Sequence, residues 1–79
     1  MKVRVDITLK TGVLDPQGEA VRHALGAIGF AGVSAVRQSK MIELDLAETD
    51  AEAARKTVAE MCEKLLANTV IENYSIHIG

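Results

Sequence analysis

The first ten residues alternate apolar and polar side chains with a period of two. The apolar positions are Val3, Val5, Ile7 and Leu9, and the positions between them carry Lys2, Arg4, Asp6, Thr8 and Lys10. This is the pattern of a β-strand that is buried on one face only. The rest of the 79-residue chain must therefore supply neighbouring strands and a layer that covers the apolar face.

The first covering element is a helix predicted to begin at Asp15-Pro16. An aspartate before a helix accepts hydrogen bonds from free backbone N–H groups, and a proline fits the first helical position, where no donor is missed. Apolar side chains then recur at the spacing of one helix face, at Val21, Ala24, Leu25 and Ile28. Gly29 is expected to end the helix. The stripe predicts that this helix packs on the sheet.

A second helix is predicted to begin in the sequence Thr49-Asp50-Ala51-Glu52. This is a capping box, in which the Thr49 hydroxyl and the Glu52 carboxylate each accept a hydrogen bond from the other residue's backbone N–H group. The predicted apolar stripe contains Ala54, Val58, Met61 and Leu65, with Cys62 and Leu66 on its flanks. The helix is expected to end near Asn68.

Three more segments have the character of strands. A short strand is expected around Val33, Ala35 and Val36, and in the next run Ile42, Leu44 and Leu46 alternate with Glu43 and Asp45. The short link Ser39-Lys40 between these two runs predicts a hairpin. Residues 70–78 form the last predicted strand, with Tyr74, Ile76 and Ile78 on one face and Asn73, Ser75 and His77 on the other.

The resulting order is β-α-β-β-α-β in one domain that spans residues 1–79. The economical arrangement is an α+β two-layer sandwich, ferredoxin-like or similar, with two helices on one face of a four-stranded, mainly antiparallel sheet. A chain of this size buries only about 60% of the surface that it exposes when unfolded. We therefore expect the open face of the sheet to meet a second copy of the chain.

Composition excludes several classes of function. The chain has 48% apolar and 25% charged residues and a formal net charge of −2, so it lacks the basic field that a nucleic-acid partner would require. Cys62 is the only cysteine, which leaves no intramolecular disulfide and no zinc site built from cysteines, and suits a reducing compartment. No apolar run approaches the length of a membrane span, and no secretion signal is visible.

The side chains that carry chemistry are few and scattered. The two histidines are His23, within the first helix, and His77, in the last strand; neither has a nucleophile at a suggestive spacing. Cys62 is expected to be buried as a small apolar residue. Glu43 and Asp45 share one strand face and are expected to be solvated or ion-paired. No metal-ligand or phosphate-loop spacing occurs, so the residues predict a non-catalytic binding or assembly module.

Two segments resemble a known family closely. They are Val13-Leu14-Asp15-Pro16-Gln17-Gly18 and the run from Met61-Cys62-Glu63-Lys64 through Asn68-Thr69-Val70-Ile71-Glu72-Asn73-Tyr74. Both are similar to the PurS family, the small subunits of bacterial phosphoribosylformylglycinamidine (FGAM) synthase. The residues between them are also similar, at Gly29-Phe30, Val33, Val36-Arg37 and Lys40. The chain departs from the family pattern at Ser39, where many relatives have glycine, and at Thr69, where many have proline.

The resemblance implies an accessory subunit of an ATP-dependent and glutamine-dependent carbon–nitrogen ligase of purine biosynthesis. In this family the small subunit forms a homodimer or a dimer of dimers in the cytoplasm. It joins the synthetase subunit PurL, which binds ATP and magnesium, to the glutaminase subunit PurQ, and it supports ammonia transfer between them. The small subunit itself has no catalytic residue, metal or cofactor. An alternative of the same element order is a small-molecule sensor domain of the ACT type.

The candidates for contact with the partner subunits lie at element boundaries and around the predicted hairpin. They are Asp15, Pro16, Gln17, Gly18, Arg37, Lys40, Asn68, Thr69, Ile71 and Glu72. Helix capping and turn formation also explain several of these residue types. Both roles therefore stay open at this point.

Overall fold

The computed structural model describes all 79 residues of the chain. Its elements, in order, are β1 (Lys2–Leu9), α1 (Pro16–Ala27), β2 (Lys40–Asp45), α2 (Ala51–Met61), a π-helical turn (Cys62–Leu66) and β3 (Glu72–Ile78). None of these helices combines the length and apolar character needed to cross a bilayer.

The sheet has three antiparallel strands in the order β2-β1-β3. The predicted alternation of β1 is confirmed, because Val3, Val5 and Ile7 are almost completely buried. They pack against Val58 of α2 and against Cys62 at the start of the π-helical turn, which are also buried. The core is thus one sheet face covered by α2, and it extends along β3 to Tyr74, Ile76 and Ile78, as the sequence predicts.

The predicted four-stranded ferredoxin-like sheet is wrong. Residues 33–36 form no strand, no hairpin closes at Ser39-Lys40, and the sheet has three strands. The reason is that the first turn of α1 holds the segment that follows it: Asp15 accepts a hydrogen bond from the Gln38 N–H group, and Gly18 lies against the Val36 carbonyl oxygen. This segment therefore lies along α1 and not along β2.

The prediction that both helices cover the sheet is also wrong for α1. Residues 13–39, called the arm below, extend away from the sheet, and α1 packs on none of its strands. The radius of gyration is 16.1 Å and the longest dimension is 49 Å, whereas a compact chain of this length has a radius of gyration of about 12 Å. Only 8 of the 79 residues are buried, so the isolated chain leaves much of its apolar surface in water.

The ends of the helices agree with the sequence in part. Asp15 caps α1, and Gly29 follows the helix with φ of 108°, a conformation that favours glycine. The capping box at Thr49 is wrong by one residue, because Asp50 caps α2 and accepts from the Ala53 N–H group at 3.3 Å. The Glu48 carboxylate accepts hydrogen bonds from the N–H groups of Thr49 and Asp50, so Thr49 lies outside the helix.

The end of the second helix is wider than a regular α-helix. The Ala67 N–H group donates to the Cys62 carbonyl oxygen at 3.0 Å, which is the five-residue spacing of a π-helix. The additional residue in this turn rotates Leu65 away from the sheet, and Leu65 is 83% exposed. The sequence placed Leu65 in the buried stripe, and the π-helical turn makes that prediction wrong. Ala67 is buried in place of Leu65.

Candidate functional site

The two histidines and the cysteine are separated by the fold. Cys62 is buried under α2, where burial and the neighbouring Glu63 raise the pKa of its thiol. His77 projects from the opposite face of the sheet, and His23 is exposed on the arm. The predicted burial of Cys62 is confirmed, and the raised pKa of its thiol disfavours the reactive thiolate. No three His, Cys, Asp or Glu side chains are grouped to hold a metal ion.

The open face of the sheet carries a short charged network. The Asp6 carboxylate lies between the Arg4 guanidinium, at 3.3 Å, and the His77 Nε2 atom, at 3.1 Å. Glu43 and Asp45 lie on the same face of the neighbouring strand and are exposed, as predicted. Arg4, Glu43, Asp45 and His77 line a depression that is wide open to solvent, so the network is a polar surface and not an enclosed pocket.

The first group of predicted contact residues builds the arm. The Asp15 carboxylate accepts from the N–H groups of Gly18 and Gln38, each at 2.8 Å. The hydrogen bond from Gln38, and after it the one from Gly18, holds the pKa of Asp15 below its ordinary value. The positive charge of Arg37 adds to the effect. Asp15 therefore ties the beginning of the arm to its end.

The neighbouring positions divide into one buried and three exposed residues. Gly18 is buried and touches the Val36 carbonyl oxygen so closely that a Cβ atom would lie 2.3 Å from it. Pro16, Gln17 and Arg37 are exposed. Asp15 and Gly18 thus have a structural role within the chain, while the exposed residues are free to meet a partner.

The second group of predicted contact residues forms a braced turn between the π-helical turn and β3. The Glu72 carboxylate accepts from the Asn68 N–H group at 2.7 Å, and the Asn68 carbonyl oxygen accepts from the Glu72 N–H group at 2.8 Å. The other Glu72 oxygen lies 3.5 Å from Lys40 Nζ, and the Glu72 side chain is only 13% exposed. Thr69 is half-buried and Ile71 is exposed at the surface of this turn.

The structure connects the two groups through one short segment. Gln38 bonds Asp15 in the arm, and Lys40, two residues later, pairs with Glu72 beside the braced turn. The Lys10 N–H group also donates to the Ile71 carbonyl oxygen at 2.8 Å, at the same end of the sheet. The predicted contact residues therefore lie around the base of the arm, with Pro16 and Gln17 further out along it.

Sequence reasoning missed two apolar residues at this end of the molecule. Leu65 is 83% exposed and Val70 is 82% exposed. Periodicity gives no sign of a π-helical turn, so it cannot show that Leu65 points outward. The turn residues Asn68-Thr69 were the available signal for Val70, because side chains beside a tight turn at the end of a helix tend to lie at the surface.

Comparison with known proteins identifies the family. The family model described as PurS, phosphoribosylformylglycinamidine (FGAM) synthase, matches residues 2–79. The chain belongs to the PurS family. The FGAM synthase subunit PurS of Bacillus subtilis is 49% identical over 77 residues, which cover 98% of this chain and 90% of that protein. The predicted family resemblance is therefore confirmed.

Solved structures of PurS proteins have the same fold. Methanocaldococcus jannaschii PurS is 45% identical and has a TM-score of 0.85, covering 96% of this chain and 92% of that one. A chain in the structure of PurLQS from Thermotoga maritima is 32% identical, with a TM-score of 0.84 and coverage of 96% and 93%. That structure shows the fold in a complex whose name combines PurL, PurQ and PurS.

Proposed function

We propose that this chain is the small, non-catalytic subunit that joins the synthetase and glutaminase subunits of an FGAM synthase complex in purine biosynthesis. The observation that carries the proposal is the match over nearly the whole chain to PurS subunits, one of them in a PurLQS structure. The absence of a nucleophile–base pair and the exposed arm support it, since an assembly subunit needs surfaces and no catalytic groups. The complex works in the cytoplasm.

In this proposal the larger subunits carry the chemistry. The glutaminase subunit releases ammonia from glutamine, and the synthetase subunit binds ATP and magnesium and activates the amide that receives the ammonia. This chain binds neither nucleotide nor metal. Its contribution is to hold the two sites in one assembly, where ammonia stays concentrated near its acceptor and is kept from dilution and protonation in water.

The chain also associates with itself in this proposal. The arm exposes large apolar side chains that the sheet does not cover, at Leu14, Ile28 and Phe30. The arm is held in one shape by Asp15 and Gly18, so it presents a formed surface and not a disordered tail. Covering this surface with a second copy would give a small chain the buried area that it lacks alone.

The partner contacts lie at the base of the arm and along its first turn. Gln17 and Arg37 are exposed on the arm, while Thr69 and Ile71 lie on the braced turn beside it. Asn68, Glu72 and Lys40 act indirectly, by fixing the turn that carries those contacts. In this proposal the first group of predicted contact residues acts through the arm, and the second group acts through the braced turn.

The proposal is tested by measuring subunit association. Purified synthetase and glutaminase subunits are mixed with and without this chain, and the sedimentation coefficient of each species is recorded. We expect a three-component complex only when the chain is present, and light scattering of the chain alone should give twice the protomer mass or a larger even multiple. If the two large subunits associate equally well without it, the joining role is wrong.

A further inference from the structure

The two strands at the sides of the sheet differ in charge. β3 lies at one side of the β2-β1-β3 sheet, so one of its edges has no neighbouring strand. Its residues 73–78 contain no Asp, Glu, Lys, Arg or Pro, the residue types that commonly keep an edge strand from pairing with another chain. β2, at the other side, carries Lys40, Glu43 and Asp45 within six residues. The sequence of β3 therefore lacks the protection that β2 supplies for itself.

The register shows which backbone groups of β3 face away from the sheet. The Gly79 N–H group donates to the Lys2 carbonyl oxygen at 3.3 Å, and the Lys10 N–H group donates to the Ile71 carbonyl oxygen at 2.8 Å. Both pairs continue the register of β1 with β3. Because bonded and non-bonded pairs alternate in an antiparallel ladder, the odd-numbered residues of β3 bond β1. The backbone groups of the even-numbered residues point outward and are called the outer edge below: Glu72, Tyr74, Ile76 and Ile78.

The side chains along the outer edge suit pairing with a second copy of β3. Tyr74, Ile76 and Ile78 are half-buried on the core face of the sheet. In the antiparallel register with full overlap, the Tyr74 side chain of one copy meets Ile76 of the other, and Glu72 meets Ile78. Aromatic and β-branched pairs of this kind stabilise sheets, and no like charges oppose each other. The strand is therefore a pairing surface for a second copy wherever its edge is accessible.

The side chain of Arg55 lies across the centre of this edge. Its Nη1 atom reaches from α2 and donates to the Ile76 carbonyl oxygen at 3.0 Å. It is the only side chain of another element that bonds a backbone group of β3, and Arg55 forms no ion pair within the chain. An added strand would have to displace the guanidinium from Ile76 or bury it without a partner. Burying an unpaired charge is costly.

The other groups near the outer edge leave its centre open. Glu63 accepts from the Tyr74 hydroxyl at 3.2 Å and keeps its negative charge, but it lies at the tip of the tyrosine side chain and bonds no backbone group of β3. At the beginning of the strand, the Glu72 N–H group donates to the Asn68 carbonyl oxygen at 2.8 Å. The braced turn therefore occupies the beginning of the outer edge, and Arg55 occupies its centre.

We infer that Arg55 closes the outer edge of the sheet and keeps β3 from pairing with β3 of a second copy. The contact is autoinhibitory, because the chain contains a pairing surface and prevents its use. Copies that meet through the arm and also through β3 would be linked without end, so closing one of the two surfaces keeps the assembly finite. This inference goes beyond the joining role and does not depend on it.

The first test measures the size of the full chain by light scattering over a range of protomer concentrations. Arg55→Ala should raise the mean mass to about twice that of the unsubstituted chain or more, and the mass should increase with concentration. Lys56→Ala is the matched control. It removes the same charge from the adjacent exposed residue, which bonds no strand, and its mass should not change. An unchanged mass for Arg55→Ala, or an equal increase for both variants, would overturn the inference.

Amide hydrogen exchange identifies the surface that pairs. The N–H groups of Tyr74, Ile76 and Ile78 have no acceptor in the chain, so they should exchange rapidly in the unsubstituted protein. In the Arg55→Ala assemblies they should exchange at least about 10-fold more slowly, while the Ser75 N–H group, which faces β1, serves as the internal reference. Large assemblies without this protection would have formed through another surface, and protection already present in the unsubstituted chain would mean that the edge is paired. Either result would contradict the inference.

A rescue variant distinguishes a closed edge from a merely destabilised helix. Ser75→Lys places a positive charge at the middle of β3, on the open face of the sheet beside Asp6. In the fully overlapping register the new lysines of two copies oppose each other directly, which disfavours pairing. Added to Arg55→Ala, this substitution should return the mass to that of the unsubstituted chain. If the double variant stays large, Arg55 acts by holding α2 in place and the inference is wrong.

Discussion

Replacing Gly18 with alanine should destabilise the arm, although alanine is normally the better residue within a helix. Gly18 is the third residue of α1, and a Cβ atom there would lie 2.3 Å from the Val36 carbonyl oxygen and 3.0 Å from the Asp15 carboxyl group. The backbone of Val36 or of the helix would have to move by roughly 0.7 Å or more to relieve the overlap. That movement would also strain the hydrogen bonds of Asp15.

The same helix contains a matched control. Apart from its chain neighbours and the backbone of its own helix, Gly26 has no heavy atom within 4 Å of the position where its Cβ would lie. Alanine there should stabilise α1 by about 0.5–1 kcal/mol, because glycine loses more backbone entropy on helix formation. Overpacking at Gly18 is expected to outweigh that gain and to destabilise the arm by about 1–3 kcal/mol. The two substitutions are chemically identical and should have opposite signs.

Amide hydrogen exchange of α1 is the appropriate measurement, because α1 does not pack on the sheet and can open without global unfolding. Gly18→Ala should accelerate exchange of the helix amides by about 5- to 150-fold, and Gly26→Ala should slow it by about 2- to 5-fold. Both chains are compared at the same protomer concentration, since self-association also protects the arm. If Gly18→Ala slows exchange as Gly26→Ala does, the close contact between α1 and Val36 does not exist in solution.

Three further predictions address the arm, the core and the thiol. Because its hydrogen bonds lower the pKa of Asp15 from 3.8, the stabilisation by its carboxylate is present above that pH and is lost as the pH falls through the lower folded-state value. The α1 amides, corrected for intrinsic rates, should lose protection there. Asp15→Asn should reduce this dependence, and the remainder comes from Glu19, whose hydrogen bond with Arg22 also lowers its pKa. Ile7→Ala should lower the free energy of unfolding in urea by about 2–5 kcal/mol, whereas exposed Thr8→Ala should change it by less than about 0.5 kcal/mol, and equal effects would contradict the assigned faces of β1. Since burial raises the Cys62 pKa, its alkylation by iodoacetamide at pH 8 should be much slower in the native chain than in urea, and equal rates would show that the thiol is accessible.

The elements with strong local signals could be predicted from the sequence. The alternation of β1 is explicit in four apolar positions, and Asp15-Pro16 marks the start of α1 because cap chemistry acts over a few residues. The same local reasoning identified the face of β3 that carries Tyr74. It failed by one residue at Thr49, since both Thr49 and Asp50 are good caps and the Glu48 carboxylate decides between them by binding both N–H groups.

The placement of the arm could not be predicted from periodicity. The apolar stripe on α1 shows that one face of the helix needs to be covered, but it does not show which surface covers it. The sheet of the same chain is assigned to this role from the sequence because that is the simplest arrangement. The contact of Gly18 with Val36 and the bond from Asp15 to Gln38 hold residues 33–38 along α1, so the fourth strand is not formed. These contacts join residues about twenty positions apart, which a local pattern does not encode.

The candidate site was predictable in place but not in detail. The turn signals drew attention to Asn68-Thr69, and the structure shows that Asn68 and Glu72 brace this turn. The exposed Leu65 could not be found, because an α-helical period places it in the buried stripe and only the π-helical turn moves it outward. One additional residue in the π-helical turn is enough to move Leu65 from the predicted core to the surface of the protein.

The most direct test of the joining role is the nitrogen source used for FGAM formation. Purified synthetase and glutaminase subunits are assayed with and without this chain, first with glutamine and then with ammonium. The account predicts that glutamine-dependent synthesis requires the chain, while ammonium-dependent synthesis hardly changes, because the chain couples two sites and catalyses neither reaction. If both rates are the same with and without the chain, the joining role is contradicted and the small-molecule sensor becomes the favoured alternative.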